Sequence, residues 1–175
     1  MNRVLFLILI VCGLSSCSFQ SFQYDFLKRV IGKEKKIDQP EKTWTLHWMQ
    51  KETDLYAINI EEQTIFADNL INIFFKSMQI YKITGLFPNN LVLEIKSVEE
   101  GLEYFLDGLR IASDSCELMK LKSVDNSNEL YSRVCYEEIS KERYENEVKV
   151  NSDGLLIGMT FKVHPNYPLL QLSIK

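Results

Sequence analysis

Residues 68–84 read DNLINIFFKSMQIYKIT, and the reading of this stretch decides the fold. Leu70, Ile71, Phe74, Phe75, Met78 and Tyr81 fall on one face at helical spacing, with Asn69, Asn72, Lys76 and Gln79 opposite. Asp68 is a suitable N-cap, and Gly85 and Pro88 close the segment. The spacing therefore predicts an amphipathic helix after Asp68. A second helix is predicted further on, where Ser97-Val98-Glu99-Glu100 matches a capping box. Val98, Leu102, Phe105, Leu106 and Leu109 carry its apolar stripe to about residue 112.

Strands are predicted on either side. TWTLHWM (43–49) alternates, with Trp44, Leu46 and Trp48 on one face and Thr45 and His47 on the other. QKETD turns the chain and LYAINI (55–60) returns. LVLEIK (91–96) reads as a short apolar strand. EVKV (147–150) and LLIGMTFKV (155–163) form a hairpin about Asp153-Gly154, with Val148, Val150, Ile157, Met159 and Phe161 on its inward face. HPNYP (164–168) breaks the chain before a last strand, LLQLSIK (169–175). The charged run EEISKERYENE (137–147) is read as a connector. The expected fold class is α+β: a largely antiparallel sheet with two amphipathic helices and hairpins in the C-terminal half.

Composition sets the outer limits. The chain has 175 residues, 46% apolar and 25% charged, which suits one folded domain. Its formal net charge is −4, so it offers no basic footprint and no nucleic-acid partner is expected. The charge is uneven: residues 24–42 hold six basic and four acidic residues, while residues 43–175 carry −7. An acidic body thus follows a mildly basic stalk.

The N-terminus carries the most specific pattern. Met1-Asn2-Arg3 is a short positive region, and VLFLILIVCGL (4–14) is an apolar run. A spanning helix needs about 20 residues, so this run suits a secretory signal peptide instead. Leu14-Ser15-Ser16-Cys17 follows it directly. That combination resembles the lipobox of bacterial lipoproteins. The resemblance implies a diacylglycerol on the Cys17 thiol, cleavage just before Cys17, and acylation of the new N-terminus. Two or more acyl chains anchor stably where one does not. It further implies three regions: a signal peptide (1–16), a lipidated Cys17 with a stalk (17–42), and one globular domain (43–175). FQYDFLKRVIGK in the stalk has the spacing of a short amphipathic helix. In this family an Asp after the Cys favours the inner membrane; Ser18 is not Asp. The expected location is therefore the periplasm-facing leaflet of the outer membrane, if the host has one.

Cysteine usage follows from that resemblance. Cys12 leaves with the signal peptide and Cys17 is taken by lipid, which leaves Cys116 and Cys135 outside the cytoplasm, where disulfides persist. A hairpin about the 125/126 midpoint pairs 116 with 135 and Lys122 with Glu129. DNSN (125–128) is centred one residue later, so a longer loop would shift this register. The cysteine face also carries Leu118, Lys120, Val124, Tyr131 and Arg133; the opposite, more apolar face carries Met119, Leu121, Leu130, Val134 and Tyr136. The disulfide is expected on the solvated face, with the apolar face toward the core.

The search for chemistry is mostly negative. The chain lacks G-x-S-x-G, H-E-x-x-H, G-x-x-x-x-G-K and G-x-G-x-x-G, so no catalytic residue is assigned. Two histidines exclude a three-His metal site, and neither a metal nor a cofactor is expected. His47 and His164 have no partner motif. Glu99, Glu100, Glu103, Glu137 and Glu138 have the pattern of a solvated face. Trp44 and Trp48 are either core or, if exposed, a candidate partner patch. The expected function is non-enzymatic: a lipid-anchored envelope protein that binds a protein partner, as an assembly or secretion accessory or an immunity protein. A small-molecule or lipid-binding module is the alternative, and an envelope hydrolase a third.

Overall fold

The computed structural model describes residues 44–125 and 127–175. The signal peptide, the Cys17 lipidation site and the stalk expected over 1–42 lie outside the described residues. Among the described residues thirteen strands follow one another: β1 (Trp44–Trp48), β2 (Lys51–Ile60), β3 (Gln63–Ala67), β4 (Asn72–Lys76), β5 (Gln79–Thr84), β6 (Leu93–Val98) and β7 (Gly101–Leu106). These are followed by β8 (Leu109–Cys116), β9 (Lys120–Asp125), β10 (Asn128–Glu137), β11 (Arg143–Asn151), β12 (Leu156–Phe161) and β13 (Leu170–Ile174). A single turn of 3-10 helix, Pro88–Asn90, sits between β5 and β6.

The sheet is antiparallel throughout and closes on itself. Its order is β11-β12-β13-β1-β2-β3-β4-β5-β6-β7-β8-β10, and β10 pairs back with β11. Twelve strands therefore form a barrel, and β9 branches from β10 outside the ring. The expected α+β class is overturned: the described residues contain no α-helix.

Both predicted helices are hairpins. In residues 68–84, β4 and β5 pair Ile73 with Ile83 and Phe75 with Ile80. Ser77 and Met78 have φ of 51° and 59°, the left-handed geometry of a tight hairpin turn. Asp68 does cap, accepting from the amides of Leu70 and Ile71, but it caps a turn. Ile73, Ile80 and Ile83 are fully buried, and none belongs to the helical stripe. The helical reading failed because both faces of the hairpin are apolar: Phe74 and Tyr81 of the stripe pack on each other, with ring centroids 6.0 Å apart, on the side opposite Phe75. A register shift at Phe74/Phe75 further breaks strict alternation, leaving the inward residues of β5 three apart at 80 and 83. β-branched and aromatic residues dominate the stretch, which favours strands. Residues 97–112 are likewise the β6–β7 and β7–β8 hairpins, the second turning at Asp107-Gly108 with φ of 49° and 79°. Leu102 and Tyr104 face the core, while Val98 and Leu109 are exposed. A Cβ on Gly101 would lie 1.8 Å from the Asp114 carbonyl oxygen, so β7 and β8 approach too closely there for any other residue.

The lumen is filled. Trp44, Leu46, Leu55, Phe66, Ile73, Phe161, Leu170 and Leu172 point into it and are nearly inaccessible. Rings from well-separated walls touch: Phe75 of β4 and Phe161 of β12 have centroids 6.4 Å apart. An eight-stranded barrel is about the size side chains can fill, so twelve strands fill only if the barrel is flattened.

A disulfide joins Cys116 and Cys135, at directly opposed positions of β8 and β10. Its surroundings differ from expectation. At the turn, Asp125 pairs with Asn128 and Val124 with Glu129, so Lys122 does not face Glu129. A slip at Leu130/Tyr131 and the irregular stretch 117–119 restore the 116–135 register. Lys122 instead ion-pairs with Glu145 and Glu147 on β11, at 3.0 Å each. On β10 the cysteine face turns inward, with Cys135 fully buried, whereas Tyr136 of the apolar face is exposed. The expectation failed because this sector of the lumen is polar. Oxidised folded protein should show no alkylatable thiol at 116 or 135. The Cys116→Ala/Cys135→Ala variant should lose about 3 kcal/mol in a urea titration, the cross-link's effect on the unfolded chain. Two reactive thiols in freshly isolated protein would contradict the pairing.

Candidate functional site

The polar sector is built by four strands. β11 alternates, so Tyr144, Asn146, Val148 and Val150 point inward from RYENEVKV. Two of those four are polar. β7 contributes Tyr104, β8 Asp114 and β10 Arg133. Tyr144 Oη donates to Asp114 Oδ2 at 2.5 Å, and the Tyr104 and Tyr144 hydroxyls are 3.0 Å apart. Because the Tyr144 proton is committed to Asp114, Tyr104 is the donor between the two tyrosines. All three residues are buried. Burial pushes the Asp114 carboxyl above its ordinary range, opposed by the two tyrosine hydroxyls. Burial, then neighbouring negative charge, keeps both tyrosines protonated.

Arg133 lies on the same inward face. Its guanidinium donates across the lumen to Gln79 Oε1, and its Nε is buried with no hydrogen-bond acceptor among the described residues. Burial lowers its pKa, but an arginine stays charged. Asn146 accepts the Lys162 amide through Oδ1 at 2.8 Å, tying β11 to the end of β12. Lys162 Nζ pairs with Glu137 Oε1 at 2.7 Å, and both side chains are largely shielded. The Glu137 carboxyl is held below the usual range, first by Lys162 and then by Ser140.

Above Asp114 the wall opens. β8 pairs with β10 only over residues 114–116, so among the described residues the edge at 109–113 carries no strand on that side. A cleft of about 460 Å³ lies there, with Asp114 among its lining residues and Arg110, Ile111, Ser113, Glu138 and Ile139 around it. The Ser113 hydroxyl donates to Glu138. Ile139 is 94% exposed, an apolar side chain at the lip. A second cleft of about 540 Å³, lined by Glu145, Glu147, Lys162 and Gln171, lies on the outer face of β11–β13.

The residues singled out by sequence lie elsewhere. Trp44 and Trp48 are 5% and 9% exposed, so they form core and not a surface patch. Trp44 packs edge-on against Phe66, and Trp48 against Phe87 and Tyr167 with its Nε1 donating to the Pro168 carbonyl. They are inward because β1 alternates next to a filled lumen. His47 sits on the outer face, 3.7 Å from Glu52. His164 packs on Phe87 and Tyr167, and its Nδ1 accepts the Asn166 amide. Burial pushes its pKa down. Glu103 pairs with Arg110. Among the described residues no group of three or more His, Cys, Asp or Glu is placed to hold a metal. Tyr104, Asp114, Arg133, Tyr144 and Asn146 were not anticipated. The alternation in RYENEVKV, read as a charged connector up to residue 147, was the available clue for Tyr144 and Asn146.

Asp114 should leave a pH signature. Its pKa is raised on folding, so its stabilising share is full below the ordinary carboxylate range and is lost as pH rises through the raised value. Asp114→Asn keeps an acceptor for Tyr144 and cannot ionise. The variant should therefore be at least as stable as the parent at neutral pH and should lack that part of the parent's decline. Thermal melts from pH 4 to pH 8 would show it; parallel pH profiles for the two proteins would contradict it.

No family model matches the chain, and no curated protein matches it. Among solved structures it is similar in fold to the hypothetical lipoprotein YmcC from Escherichia coli K12, with a TM-score of 0.52 at 10% sequence identity. The match covers 87% of this chain and 96% of that one, so the resemblance is one of overall architecture.

Proposed function

We propose that this chain is a cell-envelope lipoprotein, tethered through Cys17, whose barrel acts by binding a protein partner and not by catalysis. The observation that carries the reading is the stretch LSSC at 14–17 behind a short apolar run. A solved structure of similar fold that is itself described as a lipoprotein supports it, as does the Cys116–Cys135 disulfide, a bond suited to an oxidising compartment. Ser18 in place of Asp favours the outer membrane of a diderm host.

The barrel's two ends differ. Trp44 begins β1 at the end that carries the tight turns at Glu61-Glu62, Ser77-Met78 and Glu99-Glu100. The longer connections 85–92, 138–142 and 162–169 gather at the other end, where the 460 Å³ cleft opens. Residues 43–175 carry a net charge of −7, which favours encounter with a basic partner. A small-molecule or lipid-binding role would need an apolar cavity of roughly several hundred Å³. The lumen is instead occupied by its own side chains.

Cells grown with a clickable palmitate analogue should label the protein, and the label should remain in the membrane fraction. Cys17→Ala should abolish labelling and release or mislocalise the chain. A labelled Cys17→Ala variant, or an unlabelled parent, would contradict the anchoring. Crosslinking in intact cells followed by mass spectrometry tests the second half of the proposal. A reproducible protein partner is the expected result, and its reproducible absence would count against it.

A further inference from the structure

We infer that β9 is a pairing edge for a second copy of this chain. This goes beyond the proposed anchoring and does not depend on it. β9 bonds to β10 along one edge, and among the described residues no strand pairs with the other. All six of its residues are exposed, Leu121 and Val124 at 51% and 64%. Such an edge is the usual place for strand addition.

What selects a second copy is the self-complementarity of KLKSVD (120–125). Leu121 lies opposite Tyr131 and Val124 opposite Glu129, on the face of β10 that continues the barrel's inward side. Lys120, Ser123 and Asp125 lie opposite Ser132, Leu130 and Asn128, on the outer face. Lys122, the extra residue at the slip, reaches Glu145 and Glu147 on the outer face of β11. The faces therefore run out, in, out, out, in, out, which reads the same in both directions. An antiparallel partner related by a two-fold axis between Lys122 and Ser123 then meets matching faces at every position. Lys120 faces Asp125 of the second copy, Leu121 faces its Val124, and Lys122 faces its Ser123, each twice by symmetry. In an unbulged strand this register would join residues pointing to opposite sides; the slip is what permits it. Opposite charges and aliphatic pairs directly across a sheet are favourable. Lysines commonly guard an edge against pairing. Here Lys122 is engaged by Glu145 and Glu147 of its own chain, and Lys120, exposed beside Glu117 at 3.2 Å, meets Asp125 of the second copy, so neither lysine leaves an unmatched charge at the edge.

The test uses the full-length chain in detergent, with two differently tagged copies. Leu121→Cys in one and Val124→Cys in the other should give a mixed-tag disulfide dimer under mild oxidation. Each single variant alone, and the unsubstituted chain, should not; these controls also report any link through other cysteines. Asp125→Lys in both copies sets lysine against lysine and should lower the mixed-tag yield about tenfold or more. Adding Lys120→Asp restores the charge match and should restore the yield. Sedimentation of the charge variants without added cysteines gives the same reading, and near-UV circular dichroism confirms that each is folded. A monomer throughout, a yield indifferent to the charge swap, or capture of a different protein in place of the second copy would each overturn the inference.

Discussion

Closure of the sheet between β10 and β11 is the constraint on which the rest of the structure depends. A sheet of this length left open would present two unpaired edges, and open edges invite aggregation. β10 avoids this by serving three neighbours. β11 follows one side of it for nine residue pairs, from Asn128↔Asn151 to Tyr136↔Arg143. β8 and β9 share the other side in succession. The disulfide lies where β8 gives way to β9, at the last point where the ring and the branch hold together. Had the seam not formed, Tyr144, Asn146 and Val148 would face solvent, and the cross-lumen contacts would have no second wall.

Filling the closed barrel is the second requirement. The apolar sector solves it with aromatic and branched side chains from opposed walls. The polar sector solves it with hydrogen bonds that leave few groups unmatched: Tyr104 to Tyr144 to Asp114, Arg133 to Gln79, Asn146 to the Lys162 amide. Burying such groups is costly unless they are paired, and a paired network specifies one arrangement. Its placement next to the opening above β8 makes Asp114 both part of the core and part of the cleft wall.

Much of this was legible in the sequence and some was not, for physical reasons. β1, β12 and β13 follow from clean alternation, and the β11–β12 hairpin from Asp153-Gly154, where Gly154 has a φ of 75°. Cys116 and Cys135 were paired by count and hairpin spacing, although two register offsets lie between them and the turn. The helices were misread because apolar residues occupy both faces of these hairpins: Phe75 points inward while Phe74 and Tyr81 pack on each other on the other face, so a helical stripe can be drawn through residues that do not share a side. Asp107-Gly108 marked a turn that the capping-box reading of 97–100 concealed. The polar sector was hidden because its members come from β7, β8, β10 and β11, and only closure brings them together. The orientation of the cysteine face failed for the same reason: charge marks the solvated side of an open sheet, but not the lumen of a barrel that holds its own polar groups.

The closure claim is tested most directly by native-state amide hydrogen exchange along β10 and β11. A closed barrel requires β10 to be bonded on both sides. Ladder amides across 128–137 and 143–151 should therefore exchange as slowly as those of the central strands β3 and β4, opening only with global unfolding. Rapid exchange along the 143–151 face of the seam, with β3 and β4 still protected, would show an open sheet and contradict the account.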